Sequence, residues 1–187
     1  TESVMVARLR MAPGARETVH THPFSAVVVQ LDPGEVEMRI GRRRETTKRD
    51  AGHVEFIAAE MPHAAANTGA ASFDLVTIAI KPDRKPGGTQ APSEAPTGIT
   101  RQPVLENAHA RPTRVRFAPD APEPVHMHSY DLVLVQLTAG RLEVLLGPAT
   151  SVNDYAPGDV IFLPRNVPHA VSSRHPEPFE VLSVGVK

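Results

Sequence analysis

Two histidines one residue apart, His20 and His22, open the stretch HTHPFSAVVVQLDPG. On a β-strand, residues i and i+2 point the same way, so the pair presents two imidazoles on one face. A neutral imidazole is the commonest protein ligand for a metal ion. A second such pair, His126 and His128, stands further along the chain in HMHSYDLVLVQLTAG. Two histidines make half a site, and the question is what completes it.

The two pairs belong to a longer correspondence. Residue n matches residue n + 106 without a gap from Arg8 to Lys81, the last pair being Lys81 and Lys187. About a third of the paired positions are identical, and most others exchange one apolar residue for another. Gly52, Val54 and Phe56 fall on Gly158, Val160 and Phe162, and Pro62-His63-Ala64 falls on Pro168-His169-Ala170. Generic strand patterning does not hold register over such a length. The chain therefore reads as two copies of one unit, an N-terminal unit over 1–82 and a C-terminal unit over 104–187. The intervening 83–103 is rich in Pro, Gly, Ser and Thr and reads as a linker. Units of this size have small cores of their own, so each is expected to pack on the other or on a second chain, as in a homodimer.

The elements that must carry these histidines are strands. Apolar runs are short: AVVVQL, EVEMRI, HVEFIA and FDLVTIAI in the first copy, LVLVQL, RLEVLL, DVIFLP and FEVLSVGV in the second. They are rich in Val, Ile and Leu and bounded by turn residues. No stretch shows 3.6-residue periodicity. Asp32-Pro33-Gly34 and Thr138-Ala139-Gly140 lie between consecutive strands and read as hairpin turns. An all-β chain of regularly spaced strands suggests two sandwiches or barrels.

Bulk composition removes several function classes. A net charge of −1 gives no electrostatic case for nucleic acid or an acidic membrane surface. No apolar run approaches the roughly 18 residues that span a bilayer. Cysteine is absent, which excludes thiolate ligands, disulfides and a cysteine nucleophile. The chain opens at Thr1 rather than Met, as removal of an N-terminal segment would leave it. Composition leaves the compartment open between cytoplasm and periplasm.

The motifs resemble those of the cupin superfamily, and the doubling resembles its two-barrel form, the bicupins. The first copy has Gly14, five residues, His20-Thr-His22, then Gly34, followed by Gly52, Ala58-Ala-Glu60, His63 and Asn67. The second has Asp120, His126-Met-His128 and Gly140, followed by Gly158, Pro164-Arg-Asn166, His169 and Ser173. The resemblance implies two tandem jelly-roll β-barrels, each with a metal held by three histidines: His20, His22 and His63, and His126, His128 and His169. The family's glutamate ligand is absent twice. Val27 and Val133 take its place, or Ala26 and Leu132 at the shorter spacing.

A three-histidine set accepts Fe, Mn, Zn, Ni, Co or Cu, and it leaves coordination positions open for water or a ligand. Loss of the carboxylate raises the charge of the site by one, which favours an anionic ligand. The resemblance implies a metal-dependent oxygenase or isomerase acting on a small organic acid or diketone. The alternative is a small-ligand binding or sensing protein without turnover. Gln30 and Gln136 interrupt apolar strands at equivalent places, with a structural or interface role favoured over one supporting the metal ligands. Tyr130 and Asp131 follow His128 closely and stand within reach of a ligand, although an ordinary loop role is favoured; Phe24 replaces Tyr130 in the first copy. His53, His109 and His175 have no counterparts and read as exposed and non-catalytic.

Overall fold

The computed structural model describes residues 3–81 and 97–187. Among the described residues all regular structure is β. The chain divides into two compact units, Thr1–Arg84 and Lys85–Lys187.

The first unit holds seven strands: β1 (Val4–Met11), β2 (Ser25–Gln30), β3 (Gly34–Ile40), β4 (Arg43–Arg49), β5 (Val54–Ile57), β6 (His63–Asn67) and β7 (Phe73–Ile80). They form two antiparallel sheets, ordered β1-β7-β2-β5 and β4-β3-β6. Side chains alternate across a sheet, so each strand gives every second residue to the interior. Val28, Val36, Met38, Ile57, Ala65, Phe73 and Leu75 form the buried cluster between the sheets.

The second unit opens with β8 (Ile99–Pro103) and continues with β9 (Ala110–Phe117), β10 (Asp131–Gln136), β11 (Gly140–Leu146), β12 (Ala149–Tyr155), β13 (Val160–Leu163), β14 (His169–Ser173) and β15 (Phe179–Val186). The sheets are β13-β10-β15-β9-β8 and β12-β11-β14. Strands β9 to β15 repeat β1 to β7 in length, in partners and in position, each displaced by 106 residues. Leu132, Leu134, Leu142, Val144, Leu163 and Phe179 lie in the second core.

Two features differ from the sequence reading. First, the linker segment 83–103 ends in a strand. Ile99–Pro103 pairs antiparallel with Phe117–Thr113 of β9, and Ile99 is buried in the second core. Residues 83–96 lie outside the described residues.

Second, Asp32-Pro33-Gly34 and Thr138-Ala139-Gly140 are not hairpin turns. β2 and β3 belong to different sheets, and so do β10 and β11, so each tripeptide is a crossover. The glycines serve packing. A Cβ on Gly34 would stand 2.6 Å from Phe73 Cδ1, and one on Gly140 would stand 2.7 Å from Phe179 Cδ2. Gln30 and Gln136 brace the same crossovers: Gln30 Nε2 donates to the Asp32 carbonyl at 2.9 Å and Gln136 Nε2 to that of Thr138 at 2.6 Å. The crossover thus holds the two sheets together at the end of β2 away from His22.

Candidate functional site

In each unit a loop histidine pairs with a strand histidine through the backbone. His20 N–H donates to the His63 carbonyl at 3.0 Å, and His63 N–H donates back at 2.9 Å. His126 and His169 exchange the same two bonds at 2.9 and 2.8 Å. The remaining member is fixed by its carbonyl, which accepts from Glu60 N–H at 2.8 Å in His22 and from Asn166 N–H at 2.7 Å in His128. Two segments distant in sequence therefore meet at one point in each unit. The ring nitrogens of His20, His22 and His63 that could hold a metal ion lie within 4.8 Å of one another, and so do those of His126, His128 and His169.

The hydrogen-bond pattern decides which ring nitrogen faces inward. Nδ1 of His20 meets the Thr18 carbonyl at 2.8 Å and Nδ1 of His63 that of Met61 at 2.9 Å. In the second unit Nδ1 of His126 meets the Pro124 carbonyl at 2.8 Å and Nδ1 of His169 that of Val167 at 2.9 Å. A carbonyl oxygen can only accept, so all four Nδ1 atoms carry the hydrogen. The Nε2 lone pairs of the neutral rings are left to face the site. Backbone or carboxylate anchoring of the distal ring nitrogen is the habit of metal-ligating histidine.

His169 shows the consequence most clearly. Its ring is buried, and its Nε2 has no hydrogen-bond partner. An orphaned buried nitrogen costs free energy unless something binds it. Close by, His126 Nε2 and His128 Nε2 are 3.1 Å apart, as are those of His20 and His22. Two imidazole nitrogens at about 2.1 Å from one ion would stand about 3.0 to 3.4 Å apart for angles between square and tetrahedral. The donor set, and the spacing of its His-x-His pair, fit a divalent first-row metal.

Electrostatics favour the neutral form of three of the rings, His22, His128 and His169. Burial lowers His128 to about 4, with neighbouring His126 and His169 adding to the effect. Burial also lowers His169. In the first unit His22 is lowered too, by burial first and then by His20 and His63. Neutral imidazoles with inward lone pairs are the form that binds metal.

Two residues escaped the sequence reading. Glu17 Oε2 accepts from Ala65 N–H at 2.9 Å, and Glu123 Oε2 accepts from Val171 N–H at 2.7 Å. Each carboxylate ties the loop carrying two histidines to the strand carrying the third. Their signal was identity at the 106-residue offset, three residues before His20 and His126.

Other expected residues fall elsewhere. Gln30 and Gln136 brace the crossovers and do not join the triads. Tyr130 stacks on His128, with ring centroids 5.1 Å apart at 22°. Asp131 is buried and accepts from Arg165 N–H at 2.7 Å, which makes it a structural anchor. His109 is exposed as read, whereas His175 is half-buried, its ring edge-on to that of Phe179 at 5.9 Å and its Nδ1 at 3.1 Å from the Glu177 carbonyl. His53 is not simply exposed. Its Nε2 is buried and unpartnered, turned toward Glu55 Oε2 at 4.0 Å.

Residues 113–185 match the model of the Cupin domain family. No curated protein matches the sequence. Solved structures resemble the whole chain in fold. AerE from Microcystis aeruginosa aligns with a TM-score of 0.82 at 16% identity, covering 99% of this chain and 88% of its own. The salicylate 1,2-dioxygenase of Pseudoaminobacter salicylatoxidans aligns at 0.76 and 10%, over 98% and 71%. Oxalate decarboxylase from Lactobacillus farciminis, crystallised as a formate complex, aligns at 0.75 and 12%, over 99% and 77%. No helix among the described residues is long and apolar enough to cross a membrane.

Proposed function

We propose that this chain, a member of the cupin superfamily, is a duplicated two-barrel cupin that binds one divalent transition metal in each unit. The ligands are His20, His22 and His63 in one unit, and His126, His128 and His169 in the other. The observation that carries this is His169: Nδ1 held by the Val167 carbonyl, Nε2 buried with no partner, and two further imidazoles beside it. The repeated strand plan supports the duplication, with barrels over 1–82 and 104–187.

A bound first-row ion supplies Lewis acidity and open coordination positions for an oxygen-bearing ligand. The protein's own part is positional. Glu17 and Glu123 hold the loops, and the Nδ1–carbonyl bonds orient the rings. With no carboxylate among the three ligands, the site keeps the charge of the ion and attracts an anionic group. We read the activity as a metal-dependent oxygenase or isomerase acting on a small organic acid or diketone. Two of the structural neighbours are a dioxygenase and a decarboxylase, which supports small acids as the class.

A binding or sensing role without turnover has an observation of its own. The core of the second unit is built largely from aliphatic residues such as Leu132, Leu134, Val144 and Val171, and the phenol of Tyr130 is the one titratable group among the residues packed on it that also touches a triad ring.

Metal analysis of the purified protein tests the sites. The expected stoichiometry is two per chain, falling to one in His22→Ala and in His128→Ala, and to none in the double variant. Unchanged metal content in all three variants overturns the assignment. Oxygen consumption with a panel of small acids and diketones then separates turnover from binding.

A further inference from the structure

The first unit has a charged cleft that the second unit lacks the residues to form. In the β3–β4 ladder, Val36, Met38 and Ile40 stand opposite Thr47, Glu45 and Arg43, and Gly34 stands opposite Arg49. Directly paired residues share a face. Val36 and Met38 are core residues, so Arg43, Glu45, Thr47 and Arg49 point to the barrel side. Across the gap, Glu55 of β5 pairs with Val28, another core residue, and so shares that side. These groups line an open cleft of about 230 Å³ together with His53 and, at the rim, Lys48.

The equivalent positions 106 residues on are Ala149, Ser151, Asn153, Tyr155 and Ile161. Tyr155 and Ile161, which replace Arg49 and Glu55, pack against the apolar core. The two units share a plan and differ in what they put on this face.

A structural ion pair alone does not account for the lining. Arg49 is buried, its side chain only 7% exposed, and it donates to Glu55 Oε2 at 3.0 Å and to Thr47 Oγ1 at 3.2 Å. A guanidinium has five N–H donors, so donors remain. Arg43 pairs with Glu45. On the barrel side Arg43 and Arg49 balance Glu45 and Glu55, and Lys48, which alternates to the other face of β4, adds one positive charge at the rim. His53 Nε2 is buried without a partner, and its 4.0 Å gap to Glu55 Oε2 is too long for a direct hydrogen bond. One hydroxyl, donating to the carboxylate and in contact with the imidazole, closes that gap with normal bonds. The volume lies below the roughly 300 Å³ where drug-sized pockets begin, and so suits a small metabolite.

We propose that this cleft of the N-terminal unit binds a small hydroxy-monocarboxylate. Its carboxylate is held by Arg49 with Lys48, and its hydroxyl lies between His53 Nε2 and Glu55. The ligand is of the same chemical class as the acid read above, but the cleft is a separate site and its occupancy does not depend on that reading. None of the six triad histidines lines the cleft, so binding here requires no metal.

The test is titration of the full-length protein with glycolate, as purified and again after chelation, followed by amide NMR spectra and calorimetry. Acetate lacks the hydroxyl and glycolamide lacks the charge. The expected result is saturable glycolate binding with shifts confined to β4, β5 and the turn between them. Acetate should bind at least tenfold more weakly, and glycolamide not measurably. Arg49→Tyr with Glu55→Ile installs the residues of the second unit and should abolish binding. His53→Ala, at a half-exposed side chain, should bring glycolate down to the affinity of acetate, and it serves should the double variant not fold. Absence of saturation, equal affinity for glycolate and acetate in the native protein, or retained preference in His53→Ala overturns the proposal. The triads stand or fall on metal content, which is measured separately, so a failure of glycolate to bind chelated protein counts against the cleft alone.

Discussion

Tyr130 lies flat against His128, and among the described residues no tyrosine or phenylalanine ring stacks on His22 in the same way. The rings are 5.1 Å apart and 22° from parallel. Tyr130 fits because Gly185 leaves room: a Cβ there would come within 2.8 Å of Tyr130 Cε2. In the first unit Phe24 and Ala79 occupy the two positions, and His22 remains exposed while His128 is half-buried. The stacked ring limits the swing of the one triad member in its unit that has no strand or strand bridge to hold it. In a His22→Ala background, where only the second site binds, Tyr130→Ala should lower cobalt affinity by about tenfold, the lower end of the loss when support for a ligand is removed. Tyr130→Phe keeps the stack and should bind like the parent. Gly185→Ala should fall between them. Equal affinity across the three would show that the stack positions nothing.

Gly34 and Gly140 carry a packing prediction. Neither is at positive φ, yet each abuts a buried phenylalanine. Alanine at either position forces Phe73 or Phe179 from its place at the crossover. The expected cost is about 1–3 kcal/mol of unfolding free energy, the range for overpacking a filled core. Gly69→Ala is the control, since its nearest neighbours stand at 3.4 Å, and it should change stability by less than about 0.5 kcal/mol. Urea denaturation reads all three, and equal effects at Gly34 and Gly69 would remove the packing explanation.

Glu60 and Asn166 carry a backbone prediction. Both have positive φ, 57° and 56°, in the turns whose N–H groups hold His22 and His128. Left-handed backbone costs a side chain with a Cβ about 1–2 kcal/mol, and asparagine tolerates it better than glutamate. Glu60→Gly should therefore stabilise the protein by about 0.5–1 kcal/mol after the added chain entropy of glycine. Asn166→Gly should gain little. Metal content should be unchanged in both, because the hydrogen bond uses only backbone. A destabilised Glu60→Gly would mean that the glutamate side chain supports the turn.

The histidines, the strands and their recurrence were legible because each leaves a local mark. Histidine type is visible directly, alternation follows the pleat, and the 106-residue offset aligns whole strands. Sheet membership left no such mark. Asp32-Pro33-Gly34 has turn composition, but whether the chain reverses beside β2 or crosses to the facing sheet is a tertiary outcome, with Gly34 packed against the distant Phe73. Strand parity was equally hidden, because every residue of β2 and of β10 is buried. Only the core membership of Val28, Leu132 and Leu134 shows which side faces inward. His53 was legible only in part: a histidine after a turn glycine has surface composition and its side chain is 40% exposed, but the burial of its Nε2 leaves no local mark.

The Arg49–Glu55 pair predicts how stability responds to acid. His53, across 4.0 Å, and Arg49, at 3.0 Å, hold the Glu55 carboxyl below the ordinary glutamate value of 4.5, while burial acts in the opposite direction. A group whose folded pKa is depressed binds its proton more weakly folded than unfolded. Its stabilisation is complete above the unfolded value near 4.5 and is lost as pH falls through the lower folded value. Replacing Glu55 with glutamine removes the charge while leaving Arg49 buried. Near neutral pH this should cost about 2–3 kcal/mol, somewhat less than the loss at a fully buried broken pair. The difference between native protein and Glu55→Gln should then shrink as pH falls below 4.5, because the native glutamate is itself being neutralised. Glu45→Gln, at a more exposed carboxylate (43% against 19% for Glu55), should show a smaller cost at every pH. Unfolding curves collected from neutrality into acid measure all three proteins. A Glu55→Gln deficit that stays constant through the acid range would mean that the carboxylate stabilises by packing, and would remove charge as the reason for the pair.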